Sequence, residues 1–115
     1  MSLGGNVKTL LSGVSNVFYP NKPSAPDNIV CIFQTGGYDR SASGTKVEEP
    51  TFQILVRNTD YATGVALCET IKDTLHGYVG GTFLVILQQG DIIDIGVDAN
   101  GRQEWTLNFR CYYRR

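Results

Sequence analysis

Asp98-Ala99-Asn100-Gly101 opens onto the run Gln103-Glu104-Trp105-Thr106-Leu107-Asn108-Phe109-Arg110-Cys111-Tyr112-Tyr113, whose alternate positions divide by polarity. One set is Trp105, Leu107, Phe109, Cys111 and Tyr113; the other is Glu104, Thr106, Asn108, Arg110 and Tyr112. Successive side chains of a strand point to opposite faces, so this period of two predicts a strand with one buried and one wet face. The Asn100-Gly101 pair offers the positive φ values of a tight hairpin, joining this strand to the one before it.

Working back from the hairpin, Ile92 to Val97 and the strongly apolar Thr82 to Gln88 read as two strands separated by Gln89-Gly90-Asp91. Before them, Tyr61, Val65, Cys68, Ile71 and Leu75 trace one face of a helix of about residues 59–76, with N-cap chemistry in Asn58-Thr59-Asp60 and a stop at Gly77. Thr51 to Arg57 alternates Phe52, Ile54 and Val56 against Thr51, Gln53, Leu55 and Arg57, a strand that Pro50 opens. Asn28 to Gln34 is apolar and β-branched, a strand buried on both faces that Thr35-Gly36-Gly37 stops. The polar segment Tyr38 to Glu49 is a loop, long for a compact domain and thus either mobile or used in contacts.

Tyr19 to Asp27 carries Pro20, Pro23 and Pro26, which forbid helix and predict an extended, stiff connector. Val7, Leu10, Leu11, Val14, Val17 and Phe18 recur at helical spacing, a short amphipathic helix interrupted by Gly13; Met1 to Gly5 predicts no element. The expectation is an α+β fold: a mainly antiparallel sheet of about five strands, with the long helix and the short N-terminal helix packed on one face.

The 115 residues suit a single domain, 1–115, able to bury roughly two-thirds of its unfolded surface. Hydrophobic residues make up 42% and charged residues 18%, which argues against disorder and leaves a surface that is neutral polar or covered by partners. A formal net charge of -1 creates no field to gather phosphates or anionic lipid. The cluster Arg110, Arg114 and Arg115 reads first as a solubilising terminus. Cys31, Cys68 and Cys111 are far apart and odd in number, so buried reduced thiols are expected, without a disulfide framework or zinc site. With no apolar run near the ~20 residues of a membrane span and no export signal, an intracellular setting is expected.

Catalytic constellations fail on spacing. His76, the sole histidine, falls in the last helical turn, where an imidazole can meet the helix carbonyls and dipole. Gly36-Gly37 with Gly44-Thr45-Lys46 lacks the order of a phosphate loop and leads into Pro50 and a strand. Asp98-Ala99-Asn100-Gly101 could begin a calcium loop, but its twelfth position would be Phe109 instead of Glu. Asp91 and Asp94, three apart in a strand, point to opposite faces instead of converging as an acid/base pair. Neither catalytic residues nor a cofactor are expected. Tyr38, Tyr78, Tyr112, Leu55 and Ile93 add more apolar and aromatic area than a small sheet with one good helix easily covers. Either an interface or the N-terminal helix takes up the surplus.

Set in order, the landmarks are the Pro20, Pro23, Pro26 lead; the strand ending Thr35-Gly36-Gly37; Glu49-Pro50-Thr51-Phe52-Gln53-Ile54-Leu55-Val56-Arg57; Asp60-Tyr61 opening a helix that ends Leu75-His76-Gly77; and Asp98 to Phe109. From about Pro20 to Tyr113 the chain resembles the minor capsid and tail-terminator family of long-tailed bacteriophages and prophages. The resemblance implies a non-enzymatic virion protein whose copies close into a ring, typically six-fold, at the head-proximal end of the tail. Such a ring caps the tail tube and joins tail to head. The implied partners are other copies of itself, the major tail tube protein and the head-tail connector protein, with DNA only passing through the channel and no membrane. The setting would be the host cytoplasm during assembly and the virion tail afterwards. Tyr38, Arg40, Lys46, Glu48, Arg110 and Tyr112 are the candidate assembly contacts, and Asp91 and Asp94 the candidate channel-facing groups. A neighbouring head-completion or connector protein, and a small cytoplasmic enzyme or ligand-binding domain, stay open as alternatives.

Overall fold

The computed structural model describes residues 3–38 and 47–114. In chain order the elements are α1 (Leu3–Leu10), β1 (Val17–Phe18), β2 (Ile29–Tyr38), β3 (Val47–Asn58), α2 (Tyr61–Leu75), β4 (Phe83–Val97) and β5 (Gln103–Arg114). The fold is α+β: a five-stranded sheet in the order β1-β2-β3-β5-β4, antiparallel except for the short parallel β1–β2 pair.

The hairpin strand lies one in from the β4 edge of this sheet. β5 lies between β3 and β4, pairing Trp105 with Val56 and Asp94, and Phe109 with Phe52 and Gln88. Its alternate residues Trp105, Leu107, Phe109, Cys111 and Tyr113 are all buried, with Val30, Ile32, Phe52, Ile54 and Val56 on the same face of β2 and β3. Phe52 and Phe109 stack with centroids 5.2 Å apart, a contact worth about 0.5–1.5 kcal/mol beyond the area it buries.

The two helices cover this face. Asp60 caps α2 by accepting a hydrogen bond from the Thr63 N–H at 3.2 Å. Cys68, Ile71 and Leu75 then face the sheet as the spacing foretold, whereas Tyr61 is 56% exposed. Gly64 sits directly on the indole: a Cβ there would lie 2.2 Å from the Trp105 ring. α2 therefore approaches β5 more closely than any side chain at this position would permit.

Four local expectations change. The N-terminal helix runs from Leu3 to Leu10, not from about Val7 to Val17, because Leu3 and Val7 are both buried in the main core and that burial outweighs Gly4 and Gly5. Gly4 closes against the Tyr19 ring, so a side chain there would collide with it. Thr35-Gly36-Gly37 does not stop β2; the strand continues to Tyr38 across a register shift between Gln34 and Gly36. Tyr38 pairs with Glu49, so the expected loop from Tyr38 to Glu49 is strand at its two ends, Tyr38 and Val47 to Glu49, and the stretch between them lies outside the described residues. Finally, Thr82 to Gln88 and Ile92 to Val97 are one strand, β4, with a register shift between Gln89 and Ile93 where Gly90 takes φ 70°. A glycine that breaks a helix can instead bulge a strand, leaving the pairing to resume beyond it. The fifth strand is then β1, which the sequence had not shown.

Gly64→Ala is expected to cost about 1–3 kcal/mol, since the added methyl must displace the indole or the helix. Gly13→Ala, with nothing within 4 Å of its added Cβ, should shift stability by no more than about 0.5 kcal/mol. Urea unfolding followed by Trp105 fluorescence measures both.

Candidate assembly surfaces

The second face of the sheet begins with the other half of the β5 alternation, and it is not uniformly wet. Glu104 and Thr106 are buried, and Asn108, Arg110 and Tyr112 are half-buried. The cover near the hairpin is the proline-rich connector. The buried Arg57 guanidinium donates to the carbonyl oxygens of Pro26 at 2.7 Å and Asp27 at 3.0 Å. Arg102 donates to the carbonyl of Ser24 at 2.7 Å and to the Asp98 carboxylate at 2.9 Å, and also pairs with Asp27. Lys22 reaches back to Glu104 at 2.7 Å.

The connector is thus a strap held by charged hydrogen bonds over a small second core of Ile29, Cys31 and Leu55, with Phe18 and Phe33 packed against it. Leu55, counted as surplus apolar area, belongs to this second core and not to an interface. Arg57 and Arg102 were missed in sequence because their partners are main-chain carbonyls some 30 and 78 residues away. The available signal was an arginine at the end of an apolar strand beside a segment too rich in proline to bond its own carbonyls.

The hairpin turn fits its chemistry with one change. Gly101 alone takes positive φ, 78°, and Asn100 does not, so the turn does not require left-handed backbone at both central residues. Asp98 accepts from the N–H groups of Asn100 and Arg102, each at 2.9 Å. The Arg102 N–H bond above all, then the Asn100 N–H and the Arg102 guanidinium, hold its carboxyl below the ordinary range.

His76 departs from its expected role. Its backbone N–H bonds the Lys72 carbonyl, but its Nδ1 turns outward and accepts from the Gln88 N–H of β4 at 2.9 Å. With Gly77 N–H on the Ile86 carbonyl at 2.7 Å and Ile86 N–H on the Tyr78 carbonyl at 3.1 Å, residues 76–78 seal the outer edge of the first half of β4.

Of the candidate contacts, the side chains of Glu48, Arg110 and Tyr112 fall among the described residues. Arg40 and Lys46 lie outside the described residues, and Tyr38 is placed by its backbone pairing alone. Glu48 is half-buried at the start of β3, opposite Tyr113. Arg110 and Tyr112 do come together: the guanidinium lies 5.8 Å from the Tyr112 ring centroid on the second face of the sheet. Asp91 and Asp94 are exposed on β4. Asp91 accepts from the Ile92 N–H at 2.7 Å; Asp94 accepts from the Gly96 N–H at 2.9 Å, from Gln103 Nε2 and from the Tyr61 hydroxyl at 3.3 Å.

All three cysteines are buried, and burial pushes the thiols of Cys68 and Cys111 up to about 12 and raises Cys31 as well. At neutral pH they are protonated, poor nucleophiles. Among the described residues no three His, Cys, Asp or Glu side chains gather as a metal site, and no helix is long and apolar enough to cross a membrane.

Against known proteins, residues 4–115 match the family model described as "Bacteriophage tail terminator protein". Among solved structures the fold is similar to a chain of the "Virion of native gene transfer agent (GTA) particle", with a TM-score of 0.67 and 19% identity, over 95% of this chain and 84% of that one. No curated protein matches.

Two measurements probe the strap and turn. Arg57→Ala should destabilise by about 1.5–3 kcal/mol, because it removes a charged donor from buried carbonyls, and should speed proteolysis within 19–28. Asp98, with its carboxyl depressed on folding, contributes stability that is complete above the unfolded carboxylate pKa of ~3.9 and is lost as pH falls through its lower folded value. The stability gap between the native chain and Asp98→Ala should therefore be flat from pH 7 to 5 and narrow towards pH 2, as urea titrations across that range would record.

Proposed function

The chain belongs to the bacteriophage tail terminator family, a family of structural and non-enzymatic virion proteins, and from that premise we propose that it closes into a homo-oligomeric ring at the head-proximal end of the tail. The ring ends growth of the tube by covering the last layer of the major tail protein and offers its other side to the head-tail connector. Six copies, acting as single 1–115 domains, are the number that the family resemblance favours. DNA passes through the ring without being gripped, a role compatible with a formal net charge of -1.

The observation that carries this reading is the family match across residues 4–115. The shape supports it. A closed ring of identical subunits needs two different surfaces on each copy, one received by the neighbour on either side. The molecule is elongated, with extents of 48 × 24 × 24 Å, so its two ends are separate surfaces that two different neighbours can reach.

Deleting the protein from an otherwise intact particle tests the role. Electron microscopy is expected to show tails of uncontrolled length, or tails that do not join heads. Normal tails beside empty, leaking heads would overturn it in favour of head completion.

A further inference from the structure

The two ends of the β4–β5 ladder carry opposite features. At one end, α1, the turn after α2 and the strand ends surround an open cleft of about 570 Å³, lined among others by Asn6, Leu10, Tyr78, Phe83, Tyr113 and Arg114. Its floor is aromatic: Phe83 meets Tyr78 edge-on at 6.2 Å and Tyr113 at 5.1 Å. Val79 and Leu84 beside it are 68% and 36% exposed. Arg114 is the charged side chain in the lining, and Lys8 is exposed next to the lining residue Thr9. Glu48, opposite Tyr113 on β3, is the nearest carboxylate by register and does not line the cleft.

At the other end, the hairpin leaves Ile93, Ile95 and Val97 48%, 50% and 63% exposed. The exposed charges on the same stretch of strand are the carboxylates Asp91 and Asp94. Along β5 the cleft lies at Tyr113, while Ile93 pairs with Thr106 and Val97 with Gln103, a separation of roughly 23–33 Å at 3.3 Å per residue. One copy cannot bring its own tip to its own cleft.

We infer that the apolar hairpin tip of one copy, Ile93 to Val97, seats in the aromatic cleft of the next copy, with Asp91 facing Arg114. This assignment rests on the ring reading and names its contact. Three aliphatic side chains leave water for an aromatic floor, the term that dominates most protein association. The acidic tip meets the basic rim, which fixes the direction of docking. A knob at one end and a socket at the other make a head-to-tail contact, the kind that closes rings. The two aspartates then belong to subunit contacts and not to the channel wall.

The test is a cysteine pair, Ile95→Cys with Thr82→Cys, both at exposed positions, in a chain whose own thiols are buried. Under mild oxidation the double variant, in solution and on assembled tails, should give a ladder of covalent multimers that ends at the ring mass, while each single variant gives no more than dimers. A second pair guards against loss of fold: Arg114→Glu should weaken assembly at least tenfold by light scattering, and adding Asp91→Arg should restore it. Ring-sized particles without the ladder, and unaffected by Arg114→Glu, would overturn the contact and leave the ring standing. Neither ring mass nor ladder, in solution or on tails, would overturn both.

Discussion

The register of β5 between β3 and β4 is the constraint on which the rest of the structure depends. A slip of one residue would exchange Trp105, Leu107, Phe109, Cys111 and Tyr113 for Glu104, Thr106, Asn108, Arg110 and Tyr112 across the sheet. The first set fills the core; the second supplies the acidic partner of Lys22 and the Arg110–Tyr112 pair. Both faces penalise the slip, and the turn held by Asp98 sets the register from one end.

From that strand the two layers follow by different physics. The helix layer is held by apolar burial and by close approach at Gly64, where the absent side chain lets α2 rest on Trp105. The strap layer has little apolar area and is held by donors. Proline leaves its carbonyls without local partners, and Arg57 and Arg102, both nearly without solvent exposure, supply them. An arginine suits this because its planar fork reaches several carbonyls at once and keeps its charge. Once the strap lies down, Ile29, Cys31 and Leu55 are covered without a third helix.

What the sequence revealed, and what it hid, separates along the same line. The β5 alternation and the α2 face were legible because each is a local periodicity of one element against one core. α1 was displaced because two glycines masked a helix that only tertiary burial of Leu3 and Val7 stabilises. Gly90 read as a boundary because a bulge and a break look alike until the partner strand is known. The wet face of β5 was half wrong for a longer-range reason: the strap that buries Glu104 comes from more than 70 residues away, and no window along the chain contains both. Arg110 and Tyr112 share one face by simple alternation, whereas the surfaces around Phe83 and Ile95 arise only when α1 and the strands are assembled.

The sealing of β4 bears on how such a chain associates at all. A long apolar edge strand is a template for pairing with any other chain. Here residues 76–78 occupy the edge around Ile86 and Gln88, and beyond Gly90 the Asp91 and Asp94 side chains take up the N–H groups of Ile92 and Gly96. The backbone donors of Ile86, Gln88, Ile92 and Gly96 are thus already bonded within the chain. Association by extending the sheet sideways is therefore costly, since those bonds must break first. Contacts made by side chains at the ends of the ladder face no such cost. The same two aspartates that blunt the edge stand beside the exposed Ile93 and Ile95, so one short stretch of β4 resists indiscriminate pairing while keeping an apolar, acidic tip for a specific one.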